Sequence, residues 1–320
     1  MKRISWKKGM RLTEDIFRLS DTCAIEQINT AMALAACGRF GLFPQRTFDI
    51  ALQLNATGID VVSLDCCAVT RDGSLIDVCY DSNYSNTFST RADIPQTSSM
   101  GRLLVTIAQT EDAWCDTNDG FAQPVYAYNI IDENTPLPIN AMPVARLVNN
   151  GGAWTTDEEF VPPCLFVSSH QRFIELAMKA KNLLAELNSL AQQKAKSAGR
   201  QVLRTFWPVL QQSLIDIDKQ LVTLTPMQLL GTIQKTVGAF AMGFDFDDEF
   251  ELGNAATYRE FTTTPYNYKE ALPLIRKGVG LLGEMQEKIA QFGEAAPKPA
   301  PVETPKPEPP KRNRWSGMSI

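Results

Sequence analysis

Residues 160–191 read FVPPCLFVSSHQRFIELAMKAKNLLAELNSLA, and this stretch decides the fold because the spacing of its apolar residues changes at the two prolines. After Pro163 the apolar residues recur at alternating intervals of three and four, at Phe173, Ala177, Ala180, Leu184, Leu187 and Ala191. This spacing is typical of a long amphipathic helix. The sequence therefore predicts that a helical part of the chain begins after Pro163.

Before this point apolar residues alternate with other residues, as at Phe48, Ile50, Leu52 and Leu54. A period of two is typical of a β-strand. Further apolar runs follow at residues 59–69, 75–80, 103–108, 125–131 and 144–148, and turn sequences such as Asp72-Gly73 and Asn149-Asn150-Gly151-Gly152 separate them. Several short strands at this spacing predict an antiparallel β-sandwich or barrel.

Three more helices are predicted after the first one. The second carries heptad spacing at Leu203, Trp207, Leu210, Leu214, Ile217, Leu221 and Leu224, and Pro208 marks either a kink or its start. Thr225, Pro226 and Gln228 form an N-terminal capping sequence for the third. Asn267 and Glu270 open the fourth, with Pro273 near its first turn. Seams of this length fit an intramolecular bundle as well as an oligomer.

We therefore expect an α+β chain in three parts: an antiparallel β-sandwich over residues 1–168, a helical bundle over 169–293, and a tail over 294–320. The tail alternates prolines with lysine and glutamate from Pro297 to Pro310, a composition that cannot bury a core. Its end contains Arg312, Arg314 and Trp315, which either dock into the groove of a partner or stay unbound.

Composition excludes several classes of partner. The chain has 320 residues, 44% of them hydrophobic, and its 31 basic and 36 acidic side chains give a net charge of −5. This balance provides no overall attraction to nucleic acid or to anionic lipid, so proteins are the expected partners. The most apolar window, residues 31–37, is far shorter than the roughly 20 residues that a membrane-spanning helix needs. We expect a cytoplasmic protein without direct membrane insertion.

Cysteine and histidine usage argues against an active site. Seven cysteines without a C-x-x-C spacing are typical of reduced packing residues, not of a disulfide framework or a zinc site. His170 is the single histidine, which excludes most metal centres and most nucleophilic constellations. Cys164 and Ser169 are the only nucleophiles near it, and His170 itself is interpreted as a surface residue that opens a helix. We expect no metal and no cofactor.

Two further patterns are interpreted as structural. Gly278, Gly280 and Gly283 match a dinucleotide-binding fingerprint, but they fall inside a helical pattern and not between a strand and a helix. The acidic residues between 245 and 251 lack the glycine and the glutamate that an EF-hand requires. We expect a helix at the first and a solvated acidic loop at the second.

Four stretches, in the same order along the chain, resemble the TssK family, the baseplate subunit of bacterial type VI secretion systems. Trp6-Lys-Lys-Gly9-Met10-Arg-Leu12, with Phe17 following, is similar to the W-x-E-G-M-x-L start of that family. The segment from Gly58 to Asp72-Gly73 resembles its hairpin with a D-G turn. Pro143-Val-Ala-Arg-Leu147 through Phe160-Val-Pro-Pro-Cys-Leu165 resembles P-V-A-R-L followed by F-I-P-P-x-L, and Pro265-Tyr-Asn-Tyr268 resembles P-Y-D-H.

The resemblance implies a homotrimer with a β-sandwich shell domain that holds the wedge proteins TssF and TssG, and a helical neck that trimerises. We expect the apolar stripes of the first two helices to be too extensive for one copy to cover, so that three copies join there. The neck residues are then Phe173, Ala180, Leu184, Leu187, Leu203, Leu210, Leu214, Ile217 and Leu221.

The chain also departs from the family. Lys8 replaces the acidic residue of the first motif, and Glu14-Asp15-Ile16-Phe17 replaces P-Q-H-F. The family's C-terminal head domain contacts the membrane-complex proteins TssL and TssM, but here a proline-rich tail follows the fourth helix. We expect a short, divergent form whose tail contacts a membrane-complex protein.

The expected function is that of a non-enzymatic baseplate adaptor at the inner face of the cell envelope. Trp6, Met10, Leu12 and Phe17 are the candidates for contact with the wedge, because an apolar segment outside the strand pattern needs a surface to cover it. The alternative is that they pack on their own sandwich. Two other functions stay open: a phage-tail-like receptor-binding or baseplate protein of another contractile particle, and a hydrolase that uses Cys164 and His170.

Overall fold

The computed structural model describes residues 4–55, 57–81, 90–95, 101–116, 122–197, 201–244 and 255–292. In this part of the chain it has nine strands in two antiparallel sheets and six α-helices, which confirms the α+β class. The strands are β1 (Gly41–Leu42), β2 (Asp49–Leu54), β3 (Gly58–Val69), β4 (Leu75–Asp81), β5 (Arg91–Asp93), β6 (Arg102–Asp116), β7 (Ala122–Asp132), β8 (Ala141–Asn150) and β9 (Ala153–Thr156). The helices are α1 (Glu14–Ala36), α2 (Gln171–Ser197), α3 (Gln201–Gln220), α4 (Pro226–Phe244), α5 (Ala255–Thr263) and α6 (Ala271–Ala290).

The first sheet is built on β3, which pairs with β1, β2, β4 and β5. The predicted turn between β3 and β4 is present, and Gly73 has a φ of +88° that favours glycine. The side chain of Asp72 accepts a hydrogen bond from the backbone N–H of Ser74 at 3.0 Å. This local hydrogen bond explains why Asp-Gly is a reliable turn signal here.

The second sheet has the strand order β7-β6-β8-β9. The hairpin between β8 and β9 turns at the predicted glycines, where Gly151 and Gly152 have φ values of +68° and +99°. The Asn149 side chain accepts from the N–H of Gly152 at 2.8 Å. All three strand-like runs between residues 103 and 148 fall inside β6, β7 and β8, so the period-two prediction is confirmed there.

The two sheets contact each other through polar and apolar groups. The Tyr126 hydroxyl on β7 accepts from the Asp77 backbone N–H on β4 at 3.2 Å. Buried side chains of both sheets and of the helices belong to one hydrophobic cluster. Leu64 and Cys66 of β3 and Val105 and Ile107 of β6 are among its fully buried members.

The helices after β9 begin where the capping residues predict. Thr225 and Gln228 exchange two side-chain-to-backbone hydrogen bonds of 3.0 and 3.1 Å, which is a capping box for α4. The Asn267 side chain accepts from the N–H of Lys269 at 3.1 Å and starts a short 3₁₀ turn that leads into α6. Pro208 lies inside α3, so it does not begin that helix.

The glycine fingerprint lies within α6, as predicted, and one of its residues has a packing role. A Cβ added to Gly278 would lie 2.8 Å from Ile233 Cγ2 on α4 and 2.5 Å from Phe261 Cζ on α5. Both distances are shorter than a carbon–carbon contact of about 3.5 Å. Glycine therefore allows three helices to pack closely at this point. A Cβ added to Gly280 or to Gly283, in contrast, would meet nothing within 4 Å.

Two helices were not predicted. The nine-residue α5 follows the acidic segment, whose residues 245–251 lie outside the described part of the chain. The longer α1 covers 23 residues, but only Cys23 in it is buried. Its apolar residues do not form a single buried stripe. Their spacing along the sequence therefore lacks the clear repeat of three and four residues by which a helix is predicted.

Candidate functional site

A buried cluster of charged side chains joins the second sheet to the helices. Arg146 on β8 is only 2% exposed, and its guanidinium pairs with three carboxylates: Glu133 at 3.0 Å, Asp157 at 2.8 Å and Glu270 at 2.8 Å. It also donates to the Lys269 carbonyl at 2.9 Å. We call these five residues the Arg146 junction.

The electrostatics of the Arg146 junction keep the arginine charged. Burial alone would lower the pKa of Arg146, but the carboxylates of Glu270, Asp157 and Glu133 more than offset this effect, and its pKa is raised. Arg102 adds a second cation 2.7 Å from Glu270, and the Lys269 ammonium donates to the Glu133 carbonyl. Because every charged group has an opposite partner, the cluster fixes geometry and offers no free acid or base.

Two of the four stretches that resemble the TssK family meet at the Arg146 junction. Pro143–Leu147 provides Arg146, and the ring of Phe160 lies 5.3 Å from its guanidinium carbon. Residues 265–268 directly precede Lys269 and Glu270, and Tyr268 contacts Phe40 with ring centroids 5.4 Å apart. The Pro163 carbonyl accepts from the Leu42 N–H at 2.7 Å and lies too close to Gly41 for any side chain there. The motifs therefore position the helices on the sheets.

A second feature is the N-terminal arm, which we define as residues 4–36. All four predicted contact residues in it are exposed: Trp6 by 55%, Met10 by 37%, Leu12 by 59% and Phe17 by 52%. Contact with the wedge and packing on their own sandwich both stay predictions for these residues. Leu19, Ile25, Ile28 and Leu34 of α1 are also exposed, so the arm carries an unusual amount of uncovered apolar surface.

The arm contacts the turn between β3 and β4 and flanks a groove. The Asn29 side chain donates to Ser74 Oγ at 3.3 Å, and Gly73 packs against the Asn29 carbonyl, where a Cβ would clash. A groove of about 510 Å³ lies between α1 and the strands β4, β6 and β7, and Ile25, Ile28, Leu75 and Trp114 are among its lining residues.

The predicted neck residues divide into two groups. Seven of them are 1% exposed or less, inside the helical bundle of a single chain: Phe173, Ala180, Leu184, Leu187, Leu203, Leu210 and Ile217. The expectation that one copy cannot cover the stripes is therefore wrong for these residues, because α4 and α6 cover α2 and α3. Leu214 and Leu221 are only half-buried.

Half-buried residues form a row along α3 and into the turn that follows it, which we call the α3 row. Trp207, Leu214 and Leu221 are spaced by seven and are half-buried, while the next residues, Ile215 and Val222, are 42% and 74% exposed. The indole Nε1 of Trp207 is buried and has no hydrogen-bond partner in the described part of the chain. An orphaned buried donor costs about 1–3 kcal/mol.

The Cys164 and His170 pair does not form a catalytic arrangement. The Cys164 thiol is buried, its Sγ contacts the Pro162 carbonyl at 3.2 Å, and burial raises its pKa. Nδ1 of His170 accepts from the Arg172 N–H at 3.2 Å, so the imidazole caps α2. Burial and the Arg172 charge lower the pKa of His170 to about 4. His170 opens a helix as predicted, but it lies half-buried between Phe48 and Phe173 and not at the surface.

Other sites are judged only within the described residues. No group of three or more histidine, cysteine or carboxylate side chains there could hold a metal ion. None of the described helices combines the length and the apolar composition that crossing a bilayer demands. Arg312, Arg314 and Trp315, the predicted contact residues of the tail, lie outside the described residues.

Comparison with known proteins matches part of the chain to a type VI secretion family and its fold to solved structures. Residues 128–223 match the family described as bacterial type VI secretion, VC_A0110, EvfL, ImpJ, VasE. No curated protein matches the chain in sequence. Solved structures share its fold at low identity, and the resemblance to the TssK family is confirmed at this structural level.

Three of these structures illustrate the likeness. A chain of the type VI secretion TssK-TssF-TssG baseplate subcomplex is 16% identical with a TM-score of 0.56, over 90% of this chain and 99% of that one. A crystal structure of TssK is 14% identical with a TM-score of 0.61, over 89% and 69%. TssK from the EAEC type VI secretion system, bound to a nanobody, is 15% identical with a TM-score of 0.55, over 84% and 68%.

Proposed function

We propose that this chain, which has the fold of TssK, is a structural adaptor of a type VI secretion baseplate and acts through its surfaces without catalysis. In this proposal it binds TssF- and TssG-like wedge proteins and works in the cytoplasm at the inner face of the envelope. The likeness to a subunit of a TssK-TssF-TssG subcomplex over 90% of the chain supports this function.

The exposed N-terminal arm is the observation that carries the proposal. Large apolar side chains such as Trp6, Leu12 and Phe17 are each more than half exposed in the single chain. Clusters of exposed aromatic and aliphatic residues are typical of protein interfaces, where a few such anchors contribute most of the binding energy. We assign the arm as the wedge-binding surface.

We further propose that the chain forms a homotrimer through the α3 row. Trp207 and Leu214 are seven residues apart on α3, which is the spacing of helices that pack against each other as a coiled coil, and Leu221 continues the spacing in the turn after α3. Contact between copies along this row would cover Ile215 and Val222, which are 42% and 74% exposed in the single chain. The buried residues of α2 and α3 then hold the bundle of each copy together.

We propose three domains, each with its own role in the baseplate. Residues 1–168 form the shell, a β-sandwich of the two sheets preceded by the arm, residues 169–293 form the neck, and residues 294–320 form the tail. The Arg146 junction sets the angle between shell and neck, because it ties β8 to the start of α6. We propose that the tail links the baseplate to a membrane-complex protein through Arg312, Arg314 and Trp315.

Native mass spectrometry with co-purification tests the proposal. We expect a particle of three times the 35.5 kDa of one chain, which binds TssF- and TssG-like proteins encoded with it. A chain that stays monomeric at micromolar concentration contradicts the trimer. A trimer that retains none of these wedge proteins contradicts the adaptor function.

A further inference from the structure

A small aromatic crevice lies next to the Arg146 junction, because its lining residue Tyr268 directly precedes Lys269. It has a volume of about 140 Å³, and Phe40, Pro163, Met227, Tyr266 and Tyr268 line it with Arg39 at its edge. The lining comes from four places in the chain: the segment after α1, the FVPPCL motif, the start of α4, and the residues that precede α6. Nothing in the proposed baseplate function uses this crevice.

The crevice has hydrogen-bond donors that the fold leaves unused. In the described part of the chain neither the Tyr266 nor the Tyr268 hydroxyl has a hydrogen-bond partner. Burial raises the pKa of Tyr266, so its hydroxyl stays protonated and can donate. Aromatic rings with free hydroxyl donors suit polyproline II peptides, whose rings stack on the aromatic faces and whose carbonyls lack internal hydrogen bonds.

The chain itself contains a segment of this chemistry. Residues 301–310 read PVETPKPEPP, and Pro307-Glu308-Pro309-Pro310 within them is a P-x-x-P sequence. Two prolines with this spacing lie on the same edge of a polyproline II helix, because that helix has about three residues per turn. Glu308 between them carries a charge opposite to that of Arg39, which is exposed at the crevice.

The length of the tail allows it to reach the crevice. Tyr268 lies just before α6, and Phe292, whose carbonyl accepts from Lys194 at 2.6 Å, lies just beyond its other end. The 20 residues of α6 separate these points by about 30 Å at 1.5 Å per residue. Pro307 follows Phe292 by 15 residues, which span up to about 46 Å at 3.1 Å per residue in a polyproline II conformation.

From these observations we propose that the P-x-x-P segment of the tail binds in the aromatic crevice of its own chain. The tail then returns along the bundle to the sheet end, and residues 311–320 leave from there. This places the basic and aromatic end of the tail next to the shell.

Competition with a free peptide tests the proposal on the full chain. The probe is a fluorescein-labelled peptide with the sequence of residues 301–311, and its binding is measured by fluorescence polarisation. The receptor is the full chain in which Pro305, Pro307, Pro309 and Pro310 are replaced by alanine, so that its own tail cannot compete. We expect saturable binding to this variant that is at least tenfold tighter than binding to the unaltered chain, because a tethered segment acts at an effective concentration of millimolar order.

Matched substitutions on α4 identify the site. In the same tail variant, Met227→Glu places a charge on the crevice wall at a side chain that is 53% exposed, and Met242→Glu changes a side chain on the same helix that is 62% exposed. We expect Met227→Glu to weaken probe binding at least tenfold and Met242→Glu to leave it unchanged. No saturable binding to the tail variant, equal binding to the unaltered chain, or equal effects of the two α4 substitutions would each overturn the proposal.

Discussion

Arg146 in the second sheet and Glu270 before α6 form an ion pair of 2.8 Å, although 124 residues separate them in the sequence. The guanidinium is 2% exposed, and Glu133 and Asp157 complete its surroundings. This pair is the most deeply buried of the ion pairs that join the sheet part to the helical part in the described residues.

Replacing Arg146 should destabilise the chain strongly. Arg146→Ala leaves Glu133, Asp157 and Glu270 close together without their shared cation, and removing one member of a buried ion pair costs about 3–5 kcal/mol. We expect a loss of about 3 kcal/mol in the free energy of unfolding, measured by urea denaturation. Arg276→Ala is the control, because its pair with Glu159 is half exposed on both sides and should contribute less than about 1 kcal/mol. Equal losses in the two variants would show that the Arg146 junction is not a structural link.

Two glycines of α6 should respond in opposite directions to the same substitution. Gly278→Ala forces a methyl group against Ile233 and Phe261, and overpacking of this kind costs about 1–3 kcal/mol. Gly280→Ala has open space and gains up to about 1 kcal/mol from helix propensity. Thermal unfolding should therefore show a lower midpoint for the first variant and an equal or higher one for the second. A fall of similar size in both would contradict the close packing at Gly278.

His170 should make the protein less stable as the pH falls. Its pKa is about 4 in the folded chain and 6.5 in its reference state, so the unfolded chain binds the extra proton between these values. The free energy of unfolding then decreases as the pH falls through this window, by up to about 1.4 kcal/mol per pH unit. His170→Asn keeps a side-chain oxygen that can cap α2 but does not titrate. Urea denaturation at pH 7, 6 and 5 should show a smaller pH slope for the variant, and an unchanged slope would rule out this role.

Local signals allowed much of the fold to be predicted. The alternation at Ile50, Leu52 and Leu54 and the capping pair Thr225 and Gln228 depend on residues only a few positions apart, and the structure confirms β2 and α4. Helix α1 was missed because Cys23 is its only buried residue, so burial leaves no clear helical period.

The functional surfaces were harder to predict because they depend on distant partners. Arg146 belongs to a motif in the sequence, and this alone does not identify its partners. Its position between Ala145 and Leu147 in an apolar run is nevertheless typical of a charged residue in a buried ion pair. The heptad spacing of α3 predicts that Leu210 and Leu214 are buried. It does not show whether the same chain or a second copy buries them. In the structure the chain itself covers Leu210 and leaves Leu214 half-buried.

The N-terminal arm should be needed for binding wedge proteins but not for folding. We expect Trp6→Ala with Phe17→Ala to weaken binding to TssF- and TssG-like proteins at least tenfold, because both side chains are more than half exposed and can act as anchors for a partner. The control is Ile139→Ala with Met242→Ala, two side chains that are 66% and 62% exposed elsewhere. Co-purification measures binding, and circular dichroism with native mass checks that fold and oligomeric state are unchanged. Full retention of the wedge proteins by the arm variant would contradict the assignment.

The α3 row should control assembly of the trimer. Ile215→Glu with Val222→Glu places two charges on exposed positions that are seven residues apart, so the bundle of one chain can accept them, whereas a contact between copies would have to bury them. We expect native mass spectrometry to show the 35.5 kDa monomer for this variant and a threefold mass for the unaltered chain. Met242→Glu on α4 is the control and should leave the trimer intact. Trimers that persist in the α3 variant would show that the copies meet on another surface, and thermal unfolding of the variant distinguishes lost assembly from lost folding.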